Sequence, residues 1–328
     1  MIQEFNQQKA IQTMNNFGRA KRPFLFMVDF DALKSIIIPV DEVDNQIIRF
    51  EINHSESFET SKKKQQIHLK KHPISFTEYQ KSFNLVKENL LFGNSFLTNL
   101  TCQTPIEINL SLEQIFEVAI AKYKVWWKDN FVCFSPETFI KIDELGMVSS
   151  RPMKGTIDAQ IENAEALILQ DKKELYEHVT IVDLIRNDIS RIANKVWVEN
   201  FRYIDRIKNL SGGEILQVSS DIRGILPNNW QNNLGSMLFS LLPAGSISGA
   251  PKDRTIQIIK QAENYDRNYY TGIFGIFDGE TLDSGVMIRF IEQTPQGLVF
   301  KSGGGITARS DAKKEYEEMI QKIYVPTI

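Results

Sequence analysis

The sequence predicts an α+β fold of large antiparallel sheets packed with helices. Strand-like and helix-like runs come in blocks rather than in strict β-α-β-α alternation, and many strand-like runs are joined by hairpin-length turns. The chain has 328 residues, 42% of them hydrophobic, enough for a large core in one big domain or two intertwined ones. Residues 1–72 read as a strand-rich N-terminal region packed on the core, and 73–328 as the main region, together one intertwined domain.

The elements follow in order. Phe24 to Phe30, Ile36 to Val40 and Ile47 to Ile52 are β-prone apolar runs. A polar linker runs from Asn53 to His72, with Lys62-Lys63-Lys64 as a solvated loop. Ser75 and Glu78 make a capping box for a helix that repeats Phe76, Tyr79, Phe83, Val86 and Leu90 at three- and four-residue steps and closes at Gly93. Phe96 to Thr101 is a short strand, and Ser111 caps a second helix to about Lys122. Phe131 to Phe134, Phe139 to Ile142 and Met147 to Arg151 are strands, the last two joined by a turn at Asp143 to Gly146. Glu162 to Ile192 is helical in two pieces. Val196 to Val198 and Ile215 to Ile222 are strands, and Asn232 to Leu242 is a helix. A Gly- and Ser-rich loop, Pro243 to Pro251, leads into a helix that Pro251 can start. Tyr270 to Phe277, Gly285 to Glu292 and Leu298 to Lys301 form a meander, and Asp311 caps a last helix of about a dozen residues.

Bulk properties narrow the function. With 38 Lys and Arg against 41 Asp and Glu, the net charge of −3 speaks against a nucleic-acid surface. Neither Cys102 nor Cys133 sits in a CxxC pair, so each reads as a buried thiol in a reducing compartment. MIQEFNQQKA has no apolar signal core, and no run reaches the roughly 18 apolar residues of a membrane span. The expectation is a cytoplasmic protein with no membrane contact.

Several groups can carry chemistry. Glu174 and Glu177 share a helix face, and Glu315 and Glu318 repeat that spacing on the last helix. Two such pairs suit magnesium when a substrate supplies further oxygens, although acidic residues three apart are also common on solvated faces. Gly245 to Lys252 can offer backbone N–H groups and hydroxyls to an anion, but it fails the P-loop pattern. Gly303 to Ala308 matches GxGxxA by letter with too few residues after it for a dinucleotide fold, which leaves an anion nest. Lys154, in the Pro/Gly turn Arg151 to Thr156, becomes a nucleophile or base if apolar walls discharge it, and is otherwise a surface lysine. Glu137 is a general acid if burial raises its pKa. Arg289, on the apolar strand Val286 to Phe290, is a carboxylate clamp or a structural ion pair.

Together these segments resemble the chorismate-utilising enzymes, which include anthranilate synthase component I, aminodeoxychorismate synthase component I and the isochorismate and salicylate synthases. The resemblance rests on Ser135 to Phe139, Arg151 to Thr156, Glu177 to Asp188, Leu242 to Lys252, Tyr270 to Gly272, Leu282 to Arg289, and Gly303 to Ile306 with Glu315 to Glu318. It implies magnesium on Glu177 and Glu318, with Glu174 and Glu315 beside them. It implies a carboxylate clamp of Tyr270, Arg289, Gly304 and Gly305, with Ser248, Gly249, Thr156 and Lys252 also in the substrate pocket. Glu137 is similar to the acid that protonates the departing C4 hydroxyl. Lys154 resembles the lysine of the aminodeoxychorismate synthases, which adds to C2 before ammonia enters at C4. The anthranilate synthases, the alternative reading, carry alanine there.

The pattern departs at Gln217, where the family often has His, and at Phe96-Leu97-Thr98, often Tyr-Gln-Val. No lysine base for activating water stands near the latter segment. Neither cysteine has the surroundings of a glutaminase nucleophile, so the resemblance implies a separate glutamine amidotransferase subunit that supplies ammonia.

Overall fold

The computed structural model describes residues 2–52, 66–208 and 213–327. Among these residues the strands form two antiparallel sheets, of nine and eight strands. The nine-stranded sheet runs in the order Met153–Asp158, Glu214–Ile225, Met147–Ser150, Thr138–Ile142, Leu282–Val286, Ile273–Phe277, Phe24–Val28, Ser35–Pro39, with Lys195–Lys208 also paired to Glu214–Ile225. The eight-stranded sheet runs Gly249–Ala250, Leu97–Ile108, Gly297–Ile306, Phe290–Thr294, Phe131–Ser135, Tyr123–Trp127, Ile48–Ile52, with Leu69–Lys71 also on Leu97–Ile108.

Strand alternation builds four layers from these sheets. Along Phe24–Val28, Phe24, Phe26 and Val28 enter one core while Leu25 and Met27 enter another. Along Phe131–Ser135, Phe131 and Cys133 share that second core, while Val132 and Phe134 enter a third. The shared core therefore lies between the sheets. Helices Gln7–Arg19, Lys172–Ser190 and Leu234–Leu241 cover the nine-stranded sheet. Helices Phe76–Leu91, Leu112–Val118, Lys252–Ala262 and Ala312–Gln321 cover the other. Strands buried on both faces lose polar alternation, which is why Phe24–Val28 reads as one apolar run.

The expected α+β class holds, and so do most elements. Ser75 with Glu78 and Ser111 with Gln114 both form capping boxes. Cys102 and Cys133 are buried free thiols. Among the described residues no helix is long and apolar enough to cross a membrane.

Other expectations need correction. Residues 1–72 are not only strands: Gln7–Arg19 is a helix whose buried face is Ala10, Met14 and Gly18, a stripe too small to stand out. The polar linker contains strand Leu69–Lys71, and its stretch 53–65, with the lysine run, lies outside the described residues. The short strand expected at Phe96 to Thr101 is the twelve-residue Leu97–Ile108, and the second helix stops at Val118 because Tyr123–Trp127 is a strand. Pro251 is the cap and Lys252 the first residue of its helix. The expected meander is not one sheet. Leu282–Val286 pairs within the nine-stranded sheet and Phe290–Thr294 within the eight-stranded one, so the chain changes sheets between them.

Candidate active site

A pocket of about 210 Å³ opens where the chain crosses between sheets. Its walls include Glu137, Lys154, Glu177, Ser246, Ser248, Tyr270, Thr271, Arg289, Gly303, Gly304, Gly305 and Lys322. It has room for one compact molecule and not for a dinucleotide.

One wall is backbone. Gly304 and Gly305 pair with Leu100 and Asn99 inside the eight-stranded sheet. A Cβ at Gly304 would lie 3.3 Å from Lys322 Nζ and 3.7 and 3.8 Å from oxygens of Glu315 and Glu318, so glycine keeps that corner open. Arg289 is not on a strand, as expected from its apolar neighbours, but in the crossover at φ 53°, with its guanidinium over the Tyr324 ring. Thr271, also lining the pocket, has φ 62°. Both residues sit in the sparsely populated left-handed region, which costs energy and recurs at functional sites. The pairings Thr271 N to Met287 O (2.7 Å) and Met287 N to Gly272 O (2.8 Å) hold the two segments there. Tyr270 is buried, which pushes its hydroxyl pKa up and keeps it a neutral donor. Behind this wall Arg267 and Glu263 pair at 2.6 Å in full burial, and Arg267 also holds the carbonyls of Asn99 and Ile247.

The opposite wall is charged. Lys154 lies on strand Met153–Asp158, not in a turn, at a register shift opened by Gly155 at φ 86°. Its Nζ is 2.8 Å from Oε2 of Glu177, which is buried on helix Lys172–Ser190. Burial alone would lower the Lys154 pKa, but Glu177, then Glu174 and Glu318, outweigh it and hold the group charged. The next residue, His178, is buried with Nε2 2.6 Å from Ser220 Oγ, and burial, then Arg202 and Lys154, push its pKa down to about 4. Lys322 is 2.7 Å from Glu318 and donates to the Gly303 carbonyl.

Glu137 sits between the walls. Burial raises its pKa despite a hydrogen bond from Ser246 and the positive charges of Lys154, Lys322 and Arg289. A carboxyl so shifted keeps its proton closer to neutral pH, as a general acid must. The Ser246 hydroxyl donates to its Oε1.

The pocket gathers Glu137, Lys154, Glu177, Ser248, Tyr270, Arg289, Gly304 and Gly305, and leaves other expected residues outside its lining. Lys252 is buried 2.8 Å from Asp188, outside the lining of the pocket. Thr156 faces Gln217 across the sheet. Gly249, at φ 134°, packs against the Leu97 carbonyl where a side chain would collide. Ser248 lines the pocket with its hydroxyl spent on the Ala244 carbonyl. Glu174, Glu315 and Glu318 stand behind the lining, their charges felt by Lys154 or their oxygens close to Gly304. Sequence reasoning missed Ser246 and Lys322. Lys322 left a signal, since it caps the last helix four residues after Glu318. Ser246 left none beyond its Gly- and Ser-rich loop.

The four glutamates offer an all-oxygen donor set of the kind magnesium takes when a substrate completes the shell. Among the described residues no three His, Cys, Asp or Glu side chains gather closely enough to hold a metal. Lys154 and Lys322 stand among the carboxylates and offset their repulsion. The donor chemistry fits the ion, while the carboxylates are not closed into a ligand set.

Comparison with known proteins places this geometry. The model of the chorismate binding enzyme family matches residues 23–327. An uncharacterized PabA-like protein of Haemophilus influenzae is 51% identical over 319 residues, 97% of each chain. Aminodeoxychorismate synthase component 1 of Bacillus subtilis is 29% identical over 266 residues, 76% of this chain and 55% of its own. The crystal structure of anthranilate synthase component I from Streptococcus pneumoniae superposes with a TM-score of 0.63 at 25% identity, over 78% of this chain and 58% of that one.

Proposed function

Because the chain belongs to the family of chorismate binding enzymes, we propose that it replaces the C4 hydroxyl of chorismate with an amino group, giving 4-amino-4-deoxychorismate for 4-aminobenzoate and folate synthesis. Ammonia from a separate glutamine amidotransferase subunit is the nitrogen source. The observation that carries this reading is the amine of Lys154 in the pocket wall, beside Glu177 and within electrostatic reach of Glu137.

In the proposed reaction Tyr270, Arg289 and the Gly304–Gly305 backbone hold a carboxylate of chorismate. Glu137 gives its proton to the C4 hydroxyl, which leaves as water as the neutral amine of Lys154 bonds to C2 and both conjugated ring double bonds shift by one position. Ammonia then bonds to C4, both double bonds return to their first positions, and the C2–N bond breaks to release Lys154. Attack needs the unprotonated amine, and Lys154 is held charged by Glu177. The side chain is 28% exposed, and its ammonium can pass that proton to solvent once the hold of Glu177 weakens. Magnesium, when bound by Glu177 and Glu318 with Glu174 and Glu315 beside them, would neutralise the ring carboxylate of the substrate and loosen the grip of those glutamates on the two lysines. An amine at position 154 speaks for amination at C4 over anthranilate synthesis, the competing reading that the Streptococcus likeness supports.

The test is product identity. The chain is incubated with chorismate, magnesium and ammonium at mildly alkaline pH, and products are read by mass spectrometry with and without an aminodeoxychorismate lyase. An amino product that keeps its pyruvyl group and yields 4-aminobenzoate only with the lyase supports the reading. Anthranilate formed without the lyase overturns it.

A further inference from the structure

We infer that Ser246 positions the acid Glu137, and that the buried Lys252–Asp188 pair fixes the loop from which Ser246 reaches it; the inference rests on reading Glu137 as the acid that releases the C4 hydroxyl.

A carboxylic acid with two equivalent oxygens can carry its proton on either, and only one of them faces a given leaving group. A serine hydroxyl has one proton to donate. Donated to Glu137 Oε1, it makes that oxygen the acceptor and leaves the acid proton to Oε2. The backbone N–H of Glu137, bonded to Ser135 Oγ at 3.1 Å, anchors the other end of the residue. The carboxyl is thus fixed in rotation as well as in place.

Ser246 can do this only if its own loop does not move, and the loop is tied at several points. Lys252 Nζ lies 2.8 and 3.0 Å from the two Asp188 oxygens and donates to the Leu241 carbonyl at 2.8 Å. One ammonium thereby joins the two ends of segment 241–252 to each other and to helix Lys172–Ser190. Arg267 holds the Ile247 carbonyl at 3.0 Å, and Ser248 holds that of Ala244 at 2.9 Å. At Gly245 a Cβ would meet Leu184 at 2.8 Å and Asp188 at 2.9 Å, so the single turn Gly245–Ser248 rests directly on the carboxylate that pairs with Lys252. A lysine there only for stability would need the ion pair alone. The bond to Leu241 and the contact at Gly245 make the pair a clamp on the loop.

The charged groups that face Glu137 are Lys154 from the edge strand, Arg289 from the crossover and Lys322 from beyond the last helix. None of them changes in Ser246→Ala, so a shift in that variant reports the lost hydrogen bond. That bond favours the ionised carboxylate, and its loss raises the Glu137 pKa.

The test follows chorismate consumption, whatever the product, with full-length protein, magnesium and ammonium. Product identity is scored separately, so anthranilate as product would end the amination reading and leave this test standing. Ser246→Ala should lower kcat about tenfold or more, leave KM for chorismate within about twofold, and move the basic limb of the pH profile up by about one unit. Ser246→Thr should recover most of that loss. Lys252→Arg should lower kcat less than Lys252→Met and in the same direction. A carbon-13 titration of the Glu137 carboxyl, assigned by its loss in Glu137→Gln, reads the same upward shift without turnover. Wild-type rates and an unmoved Glu137 titration in Ser246→Ala would overturn the inference.

Discussion

Two lysine–carboxylate pairs of equal length behave oppositely. Lys154 and Glu177 meet at 2.8 Å, and so do Lys252 and Asp188. Lys154 is 28% exposed and opens on the pocket, while Lys252 is 8% exposed and lies outside the pocket lining. The Lys154 pKa is raised, because Glu177, Glu174 and Glu318 together outweigh burial. The Lys252 pKa is lowered and that of Asp188 raised, because burial outweighs their attraction on both sides. Contact distance therefore does not tell a working ion pair from a structural one. The number of surrounding charges and access to a ligand do.

The largest expected effect separates the two on turnover. Lys154→Met should cut amino product to below about one thousandth of the wild-type rate while the protein stays folded. Full activity in that variant, measured by the coupled lyase assay, would erase the distinction. Glu137→Gln should slow chorismate loss by about a hundred- to ten-thousandfold, since the amide cannot give a proton. Lys252→Met should act on stability, lowering it by about 3–5 kcal/mol in urea unfolding, because Asp188 is left buried without its cation. Unchanged stability in that variant would remove Lys252 from the framework.

The smallest effect is a pH dependence next to the Lys154 pair. His178 titrates near 6.5 when unfolded and is held at about 4 in the fold, so the unfolded chain binds more protons between those values. Its contribution is fully present above pH 6.5 and is lost as pH falls toward 4, by roughly 3 kcal/mol at most. Unfolding of His178→Asn across that window should show a shallower slope than wild type. An identical slope would remove His178 as the cause.

Much of this was readable in advance, for identifiable reasons. Capping boxes and glutamate spacing are local, and Ser75 with Glu78 or Glu315 with Glu318 need only one helix to be seen. Arg289 was misplaced because both sheets present apolar interiors, so the hydrophobic run from Val286 to Phe290 continues unbroken while the chain changes sheets. Helix Gln7–Arg19 was missed because it docks through small residues: Gly18 and Gly235 let two helical segments touch backbone to backbone. Lys252 stands three residues after Gly249, and its partner Asp188, 64 residues earlier, is visible only in the folded chain. Ser246 gains its meaning from Glu137, 109 residues earlier, a relation no local pattern records.

Strand Gly297–Ile306 lies between Leu97–Ile108 and Phe290–Thr294. On a chain emerging from the ribosome, the eight-stranded sheet therefore stays in two halves until this segment appears. Each half shows an unpaired edge, open to wrong partners in a crowded cell. The same segment brings Gly303 to Gly305, so no bound ligand can steady the nascent protein during that interval. Until then the two edges have no partner strand, and chaperones are their expected guardians.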